Sequence, residues 1–188
     1  SDTPVGIAKS MGLGMIGFAD ALNELKPGLL LVLGDRYEIF AVSSAAMISR
    51  IPIAHLHGGE ATEGLIDEPI RHSVTKMSHL HFVAAKEYQK RVIQLGEHPD
   101  RVFYVGGLGV DNIHKLKLLD KVELEKSLGF KFGRKNLLVT FHPVTATSDS
   151  IDNDIDVFLS ALKDLSALDH LITAANEDFG GEAFNLAI

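Results

Sequence analysis

Short apolar runs alternate with longer amphipathic stretches along the chain. Apolar residues recur every three or four positions through 5–26, which predicts a helix that Pro27 and Gly28 end. The continuous apolar run 29–33 then predicts a strand buried on both faces. The same alternation predicts further helices at 37–49, 67–77, 86–95, near 111, 151–168 and after 181, and further strands at 52–55, 79–83, 101–105, 136–140 and 170–173.

Strands that alternate with helices are typical of parallel βαβ units, so the pattern predicts an α/β fold. The charged segment 117–135, with glycines at 129 and 133, is interpreted as a linker. It separates a first domain, 1–116, from the beginning of a second, 136–188. The second has two predicted strands where a doubly wound domain usually needs more, so it is predicted to be partial.

Polar side chains follow the first two predicted strands. Ligands of parallel α/β sheets bind outside the carboxyl ends of the strands, so we expect a site there. The second apolar run closes on a histidine- and glycine-rich segment, and a charged helix start comes just behind it. The residues concerned are Asp35, Arg36, His55, His57, Gly58, Gly59, Glu60, Asp67, Glu68 and Arg71.

Asp35 is the strongest single candidate, because core packing explains poorly a carboxylate that follows a buried strand and a glycine. The alternative is an N-cap for the helix 37–49. Arg36 favours an anion site, or it pairs with Asp35. Asp67 is explained equally well as the cap of the next helix, where negative charge is stabilised. His142 repeats the pattern of a polar residue at a strand end and suits acid–base chemistry near neutral pH.

The remaining candidates each have a second interpretation. Gly58 and Gly59 let a backbone approach a ligand closely, or they only turn the chain. Glu60 taken alone is a solvated loop charge, and Asn176 is about as well explained by a solvated loop.

A metal site is the competing chemistry. His55 and His57 alternate along the predicted strand and would point to one face, where Asp35, Asp67 and His142 could complete a ligand set. The other usual ligand spacings are absent from the sequence. Taken by themselves, the residues indicate an α/β enzyme with acid–base groups acting on a sugar or phosphate ester.

Composition excludes several classes of protein. The chain has 46% hydrophobic and 23% charged residues, which is typical of a globular rather than a disordered protein. Its net charge of -7 disfavours nucleic acid as a partner. It has no cysteine, which excludes disulfides and thiolate chemistry and is compatible with the cytoplasm. No uninterrupted run of about eighteen apolar residues occurs, so we expect no membrane span.

Four segments in order resemble the UDP-N-acetylglucosamine 2-epimerase family: VLGDRYEIFA, IPIAHLHGGEATEGLIDEPIRHSVTKMSHLHFVA, RVIQLGEHPDRVFYVGGLGVDNI and TFHPVT. The resemblance covers most of the chain. It is closest to the hydrolysing branch, which makes N-acetylmannosamine for sialic and related nonulosonic acids. The GDT and HVEAGLR motifs typical of the non-hydrolysing branch are missing from this sequence.

The resemblance implies two Rossmann-like domains in a glycosyltransferase-B-like arrangement around a UDP-sugar. It implies no metal or other cofactor, and a homo-oligomer. The implied chemistry removes the C2 proton, expels UDP to leave a glycal, and adds water. Asp35 and Asp67 match family acid–base carboxylates, and His142 matches a histidine of the second domain. Arg36 and Arg71 stand in family motifs, where they are expected to position the substrate.

Two departures from the family pattern matter. Several members carry a catalytic Glu where this chain has His57, so either His57 or Glu60, three residues on, takes that role. Family chains also have a strand and basic loop before this segment and a diphosphate-binding segment after it. The chain therefore resembles the middle of the enzyme, and we expect it to have little activity alone.

A UDP-diacetamido-trideoxy sugar remains an alternative substrate, and a metal-dependent hydrolase using Asp35, His55, His57 and His142 remains an alternative enzyme.

Overall fold

The structure, a computed structural model, describes residues 3–62, 66–141, 151–175 and 181–188. The chain divides into two compact units, which are described separately. One comprises Pro4–His114, and the other comprises Lys115–Ile188 with Ser1–Thr3.

In the first unit, strands and helices alternate as predicted. Its elements are α1 (Pro4–Leu25), β1 (Leu30–Leu33), α2 (Tyr37–Ile48), β2 (Ile53–Leu56), α3 (Asp67–Met77), β3 (Leu80–Val83), α4 (Lys86–Gln94), β4 (Val102–Tyr104) and α5 (Leu108–Lys115). The strands form one parallel sheet in the order β1-β2-β3-β4. The prediction of an α/β fold with parallel sheets is confirmed.

The second unit contains α6 (Lys121–Leu128), β5 (Asn136–Val139), α7 (Ile151–Asp164), β6 (Asp169–Ile172) and α8 (Gly181–Ala187). β5 and β6 pair in parallel. Helix α6 lies inside the segment interpreted as a linker. It forms because Asp120 and Glu123 make a capping box at its N-terminus and Gly129 ends it in the left-handed conformation, φ 65°.

The core of the first unit lies between the sheet and helices α1, α2 and α3. Ile53, Ala46 and Val74 are fully buried there, with Leu22 and Val32 nearly so. Small residues on α2 allow close packing against α1. A smaller cluster of Val83, Val92 and Val102 holds α4 against β3 and β4. Helix α3, which carries Arg71, is therefore packed firmly against the sheet.

Strand β1 was predicted to be buried on both faces, and this is wrong. It lies at the edge of the described sheet, and the side chains of Leu31 and Leu33 are 62% and 53% exposed. A short apolar run has the same sequence pattern in an edge strand as in a central one, which is why the pattern misled.

Helix α1 is long and apolar enough to cross a membrane by length and composition, with a mean hydropathy of 1.3 over an 18-residue window. A helix of a globular core passes the same test, and α1 packs Phe18 and Leu22 into the core of the first unit. The absence of a membrane span stays a prediction.

Candidate active site

The carboxyl ends of β1 and β2 lie side by side, because Leu33 pairs with Leu56 in the parallel register. The Gly34 amide extends this pairing by donating to the Leu56 carbonyl at 3.0 Å. Gly34 then turns the chain with φ 78°, a backbone conformation that few other residues adopt. The segments that carry Asp35 and His57 therefore leave the sheet at the same edge.

Asp35 is held by a residue of α3. The Arg71 guanidinium donates a hydrogen bond from Nη2 to Asp35 Oδ2, and both side chains are largely buried, with 9% and 16% exposure. Arg71 Nη1 also donates to Thr62 Oγ1 at 3.2 Å. The alternative that Asp35 caps helix α2 is wrong, because Arg36 occupies the N-cap position and α2 has no side-chain cap.

Burial raises the pKa of Asp35 above its ordinary value of 3.8. The Arg71 charge and its hydrogen bond lower the pKa, and the nearby Glu60 carboxylate raises it, but burial has the largest influence. A carboxyl group whose pKa is raised by burial at the edge of a sheet is a candidate acid–base residue.

His57 and Glu60 form a pair just beyond β2. His57 Nδ1 lies 2.8 Å from Glu60 Oε1, with both side chains about a quarter exposed, at 26% and 28%. His57 lies outside the strand, in the left-handed conformation with φ 63°. The prediction that it continues the alternation of His55 along β2 is therefore wrong, because β2 ends at Leu56. Glu60 is paired rather than a lone loop charge.

The two glycines between them are packed against protein atoms. A Cβ on Gly59 would lie 2.5 Å from the Tyr88 carbonyl oxygen of α4, and one on Gly58 would lie 3.0 Å from His55 Nδ1. Arg91 of α4 donates a hydrogen bond to the Gly59 carbonyl. These contacts favour the interpretation that the glycines shape the turn that carries His57 and Glu60.

His55 is fully buried, and both of its ring nitrogens have hydrogen-bond partners. Nε2 lies 2.8 Å from the Gly34 carbonyl and Nδ1 lies 3.2 Å from Thr75 Oγ1. Burial lowers the pKa of His55 from 6.5 to about 4. With both nitrogens engaged, His55 has no lone pair for a metal ion. Among the residues that the structure describes, no group of three or more His, Asp or Glu side chains could hold one.

The other predicted site residues lie around this edge or outside the described ranges. Asp67 is the first residue of α3, one turn before Arg71, so it follows the N-cap position, which Ile66 occupies without a side-chain cap. Arg36 pairs with Glu38 at 2.7 Å and lies over the Tyr37 ring. His142 and Asn176 lie outside the described residues.

Glu68, which was placed at this edge without a role, and Thr62, which the sequence did not single out, belong to the same region. Glu68 Oε2 accepts a hydrogen bond from the Thr62 amide at 3.2 Å, and Glu68 Oε1 lies 3.6 Å from His72 Nε2. Thr62 in turn contacts Arg71. The four-residue spacing of Glu68 and His72 on a helix was the available signal for the second contact.

Comparison with known proteins identifies relatives over nearly the whole chain. The family model for UDP-N-acetylglucosamine 2-epimerase matches residues 1–188. The chain is 42% identical over 185 residues to the GDP/UDP-N,N'-diacetylbacillosamine 2-epimerase (hydrolyzing) of Campylobacter jejuni, covering 98% of this chain and 48% of that protein. It is 43% identical to the polysialic acid biosynthesis protein P7 of Escherichia coli, covering 94% and 45%. The chain thus spans about half the length of these relatives.

Solved structures share the fold. The UDP-GlcNAc 2-epimerase of Neisseria meningitidis bound to UDP-GlcNAc matches with a TM-score of 0.77 and 22% identity, over 95% of this chain and 51% of that one. The enzyme of Methanocaldococcus jannaschii, in complex with UDP-GlcNAc and UDP, matches with a TM-score of 0.76 and 16% identity, over 96% and 51%. The architecture of these structures is glycosyltransferase-B-like, as the family resemblance implied.

Proposed function

Because this chain belongs to the UDP-N-acetylglucosamine 2-epimerase family, we propose that the protein is a hydrolysing UDP-N-acetylglucosamine 2-epimerase. It eliminates UDP and hydrates the resulting glycal to N-acetylmannosamine. Relatives named as hydrolysing enzymes, at 42% and 35% identity, support the hydrolysing reaction. The Asp35–Arg71 pair, with Glu60 close enough to raise the pKa of Asp35, is the observation that carries this assignment.

The proposed reaction needs a base and an acid. In the elimination, a base removes the C2 proton, the electrons of the C2–H bond form the C1–C2 double bond, and the C1–O bond to UDP breaks with its electrons. In the hydration, the hydroxyl of a water molecule bonds to C1 and a proton returns to C2 on the opposite face. Both steps need protons moved at fixed positions, which side chains near their pKa do efficiently.

We assign the base to the His57–Glu60 pair. If the Glu60 carboxylate accepts a hydrogen bond from His57 Nδ1–H, the lone pair of His57 is placed on Nε2, where it can take a proton. Asp35, whose pKa is raised, supplies the acid, and Arg71 stabilises its carboxylate once the proton has left. Asp67 and His142 are proposed as further acid–base groups. Arg36 and Asn176 are proposed to contact the substrate, and Gly58 and Gly59 to shape the turn beside it.

A second candidate substrate is a UDP-diacetamido-trideoxy sugar. Two relatives, from Campylobacter jejuni and Legionella pneumophila, are named as N,N'-diacetylbacillosamine 2-epimerases. The chemistry at C1 and C2 is the same for both sugars, so the residues assigned above serve either one.

We further propose that the protein needs no metal or other cofactor, acts in the cytoplasm, and is a homo-oligomer with a UDP-sugar as its ligand rather than nucleic acid or a membrane. The net charge of -7 supports the exclusion of nucleic acid.

The test is the rate of UDP release by the full-length protein from UDP-N-acetylglucosamine and from the diacetamido sugar, side by side. We expect release from at least one of them, unchanged by EDTA. Asp35→Asn should slow it by about a hundredfold or more, the usual contribution of a general acid or base. Asp100→Asn, which breaks the exposed His98–Asp100 pair, is the matched control and should stay within about twofold. Chelator-sensitive release would instead support the metal-dependent hydrolase.

A further inference from the structure

A fully buried pair of side chains lies beneath the two turns of the candidate active site. His55 of β2 and Thr75 of α3 both have 0% exposure, and they contact each other at 3.2 Å between Nδ1 and Oγ1. Neither has a role in the chemistry proposed above. The other nitrogen of His55 contacts the backbone of the turn that carries Asp35.

The direction of both hydrogen bonds follows from the charge state of His55. Burial lowers its pKa to about 4, so the ring is neutral near pH 7 and carries a single N–H. A carbonyl oxygen can only accept, so this hydrogen lies on Nε2 and points at the Gly34 carbonyl, 2.8 Å away. Nδ1 then accepts from the Thr75 hydroxyl. The Gly34 carbonyl therefore sets the tautomer, and the Thr75 hydroxyl holds the ring by donating to the nitrogen that carries no hydrogen.

The same ring also touches the second turn. A Cβ on Gly58 would lie 3.0 Å from His55 Nδ1 and 3.1 Å from Thr75 Oγ1, so the backbone at Gly58 packs directly on the pair. Gly34 directly precedes Asp35, and Gly58 directly follows His57. One buried imidazole thus contacts the backbone next to both groups to which acid–base roles are assigned.

We propose that His55 and Thr75 are positioning residues that set the distance between Asp35 and the His57–Glu60 pair. The expected effect on turnover rests on the proposed function. The placement of His55 and Thr75 beneath the two turns does not depend on it. Displacing a reacting group by about 1 Å can cost on the order of a hundredfold in rate, so a fixed support beneath both turns matters for turnover more than for substrate binding.

The test uses three variants of the full-length protein. Thr75→Val keeps the shape of the side chain and removes the hydroxyl. Thr75→Ser keeps the hydroxyl and should rescue the effect. Ser78→Ala is the matched control, because Ser78, the C-cap of α3, also carries a buried hydroxyl, but this hydroxyl donates to the Val74 carbonyl of α3, at 2.7 Å.

Two readouts decide the proposal. We expect Thr75→Val to lower kcat by at least about tenfold with KM within about twofold, while Thr75→Ser and Ser78→Ala stay near the wild type. Independently of turnover, ¹⁵N NMR of the His55 ring should show the Nε2–H tautomer in the wild type, and the Nδ1 resonance should shift in Thr75→Val, where its hydrogen bond is lost, but not in Ser78→Ala. An Nδ1–H ring in the wild type overturns the proposal.

A Thr75→Val enzyme as fast as the wild type, or a Thr75→Ser enzyme as slow as Thr75→Val, also overturns it. If the wild type releases no UDP from either sugar, the proposed function fails, and the ring tautomer still tests the geometry.

Discussion

Asp35 owes its chemistry to burial and to neighbours that come from two other segments of the chain. Burial and the Glu60 carboxylate raise its pKa, and the Arg71 guanidinium opposes them. Each of these influences acts through space across a fold that brings residues 35, 60 and 71 together. Because the Arg71 charge and its hydrogen bond lower the pKa of Asp35, replacing the arginine should be visible at the carboxyl group.

Replacing Arg71 with Met should raise the pKa of Asp35 further above its ordinary value, because the positive charge that lowers it is gone. Carboxyl ¹³C NMR titration of the full-length protein measures this. Arg101→Met removes a charge from an exposed position and serves as the control. An Asp35 pKa that stays the same or falls in Arg71→Met would contradict the assigned pairing.

His55 should make the protein less stable in acid. Its pKa is about 4 in the folded state and 6.5 in the unfolded state, so the unfolded chain binds the proton first as the pH falls. The stability that His55 contributes is present above pH 6.5 and is lost towards pH 4. Between pH 7 and pH 4.5 this amounts to about 2 kcal/mol. Burial lowers the pKa of His81 as well, which acts in the same direction.

Urea unfolding of the full-length protein at both pH values tests this. The difference in unfolding free energy between pH 7 and pH 4.5 should shrink by about 2 kcal/mol in His55→Gln. It should not change in His98→Gln, because His98 is an exposed histidine with a 68% exposed side chain. An undiminished difference in His55→Gln would mean that His55 is not held neutral by the fold.

For individual residues, the sequence predicted which side chains gather at the edge of the sheet but not which of them contact one another. Asp35 was singled out because a carboxylate after a buried strand is unusual. Its partner Arg71 lies 36 positions away, and no sequence spacing reveals such a pair. His57 and Glu60 were alternatives for one role, and the structure pairs them.

The turn that follows β2 depends on its close approach to α4. Gly59 has φ 81°, and its Cα lies against the Tyr88 carbonyl, while Arg91 donates to the Gly59 carbonyl. The helix therefore fixes the turn from one side, and His55 and Thr75 support it from the other. A side chain at position 59 would force the turn away from α4.

Gly59→Ala should destabilise the protein by about 3 kcal/mol, since the left-handed conformation costs an alanine about 1 kcal/mol and the Tyr88 contact adds the cost of overpacking. Denaturant unfolding measures this, and UDP release should fall with it. Gly28→Ala is the control, because a Cβ there meets nothing within 4 Å. Equal stability of the two variants would show that the turn is not packed against α4.

The elements themselves were largely predictable. Three- and four-residue periodicity and the Pro27–Gly28 end signal gave α1, and the alternation of short apolar runs with longer segments gave α2, α3 and α4, all to within about one residue. The edge position of β1 was not predictable, since burial depends on which strands flank it. Helix α6 was missed because its few apolar residues do not form a clear apolar face. Its capping box of Asp120 and Glu123 is nevertheless a recognisable start signal.

At the scale of the whole molecule, the chain matches about half of each relative while carrying the residues assigned to acid–base chemistry. We predict that the 188-residue polypeptide alone releases UDP far more slowly than the full-length protein, because the resemblance places part of the diphosphate-binding segment outside this chain. Comparing the two polypeptides at equal concentration tests this. Equal rates would show that these residues suffice.

The most direct test of the central claim is ¹H NMR of the full-length protein incubated with UDP-N-acetylglucosamine in D₂O. Removal of the C2 proton followed by hydration of a glycal predicts free N-acetylmannosamine that carries deuterium at C2, together with an equal amount of UDP. Accumulation of UDP-N-acetylmannosamine, or a free sugar that keeps its original C2 proton, would contradict the account.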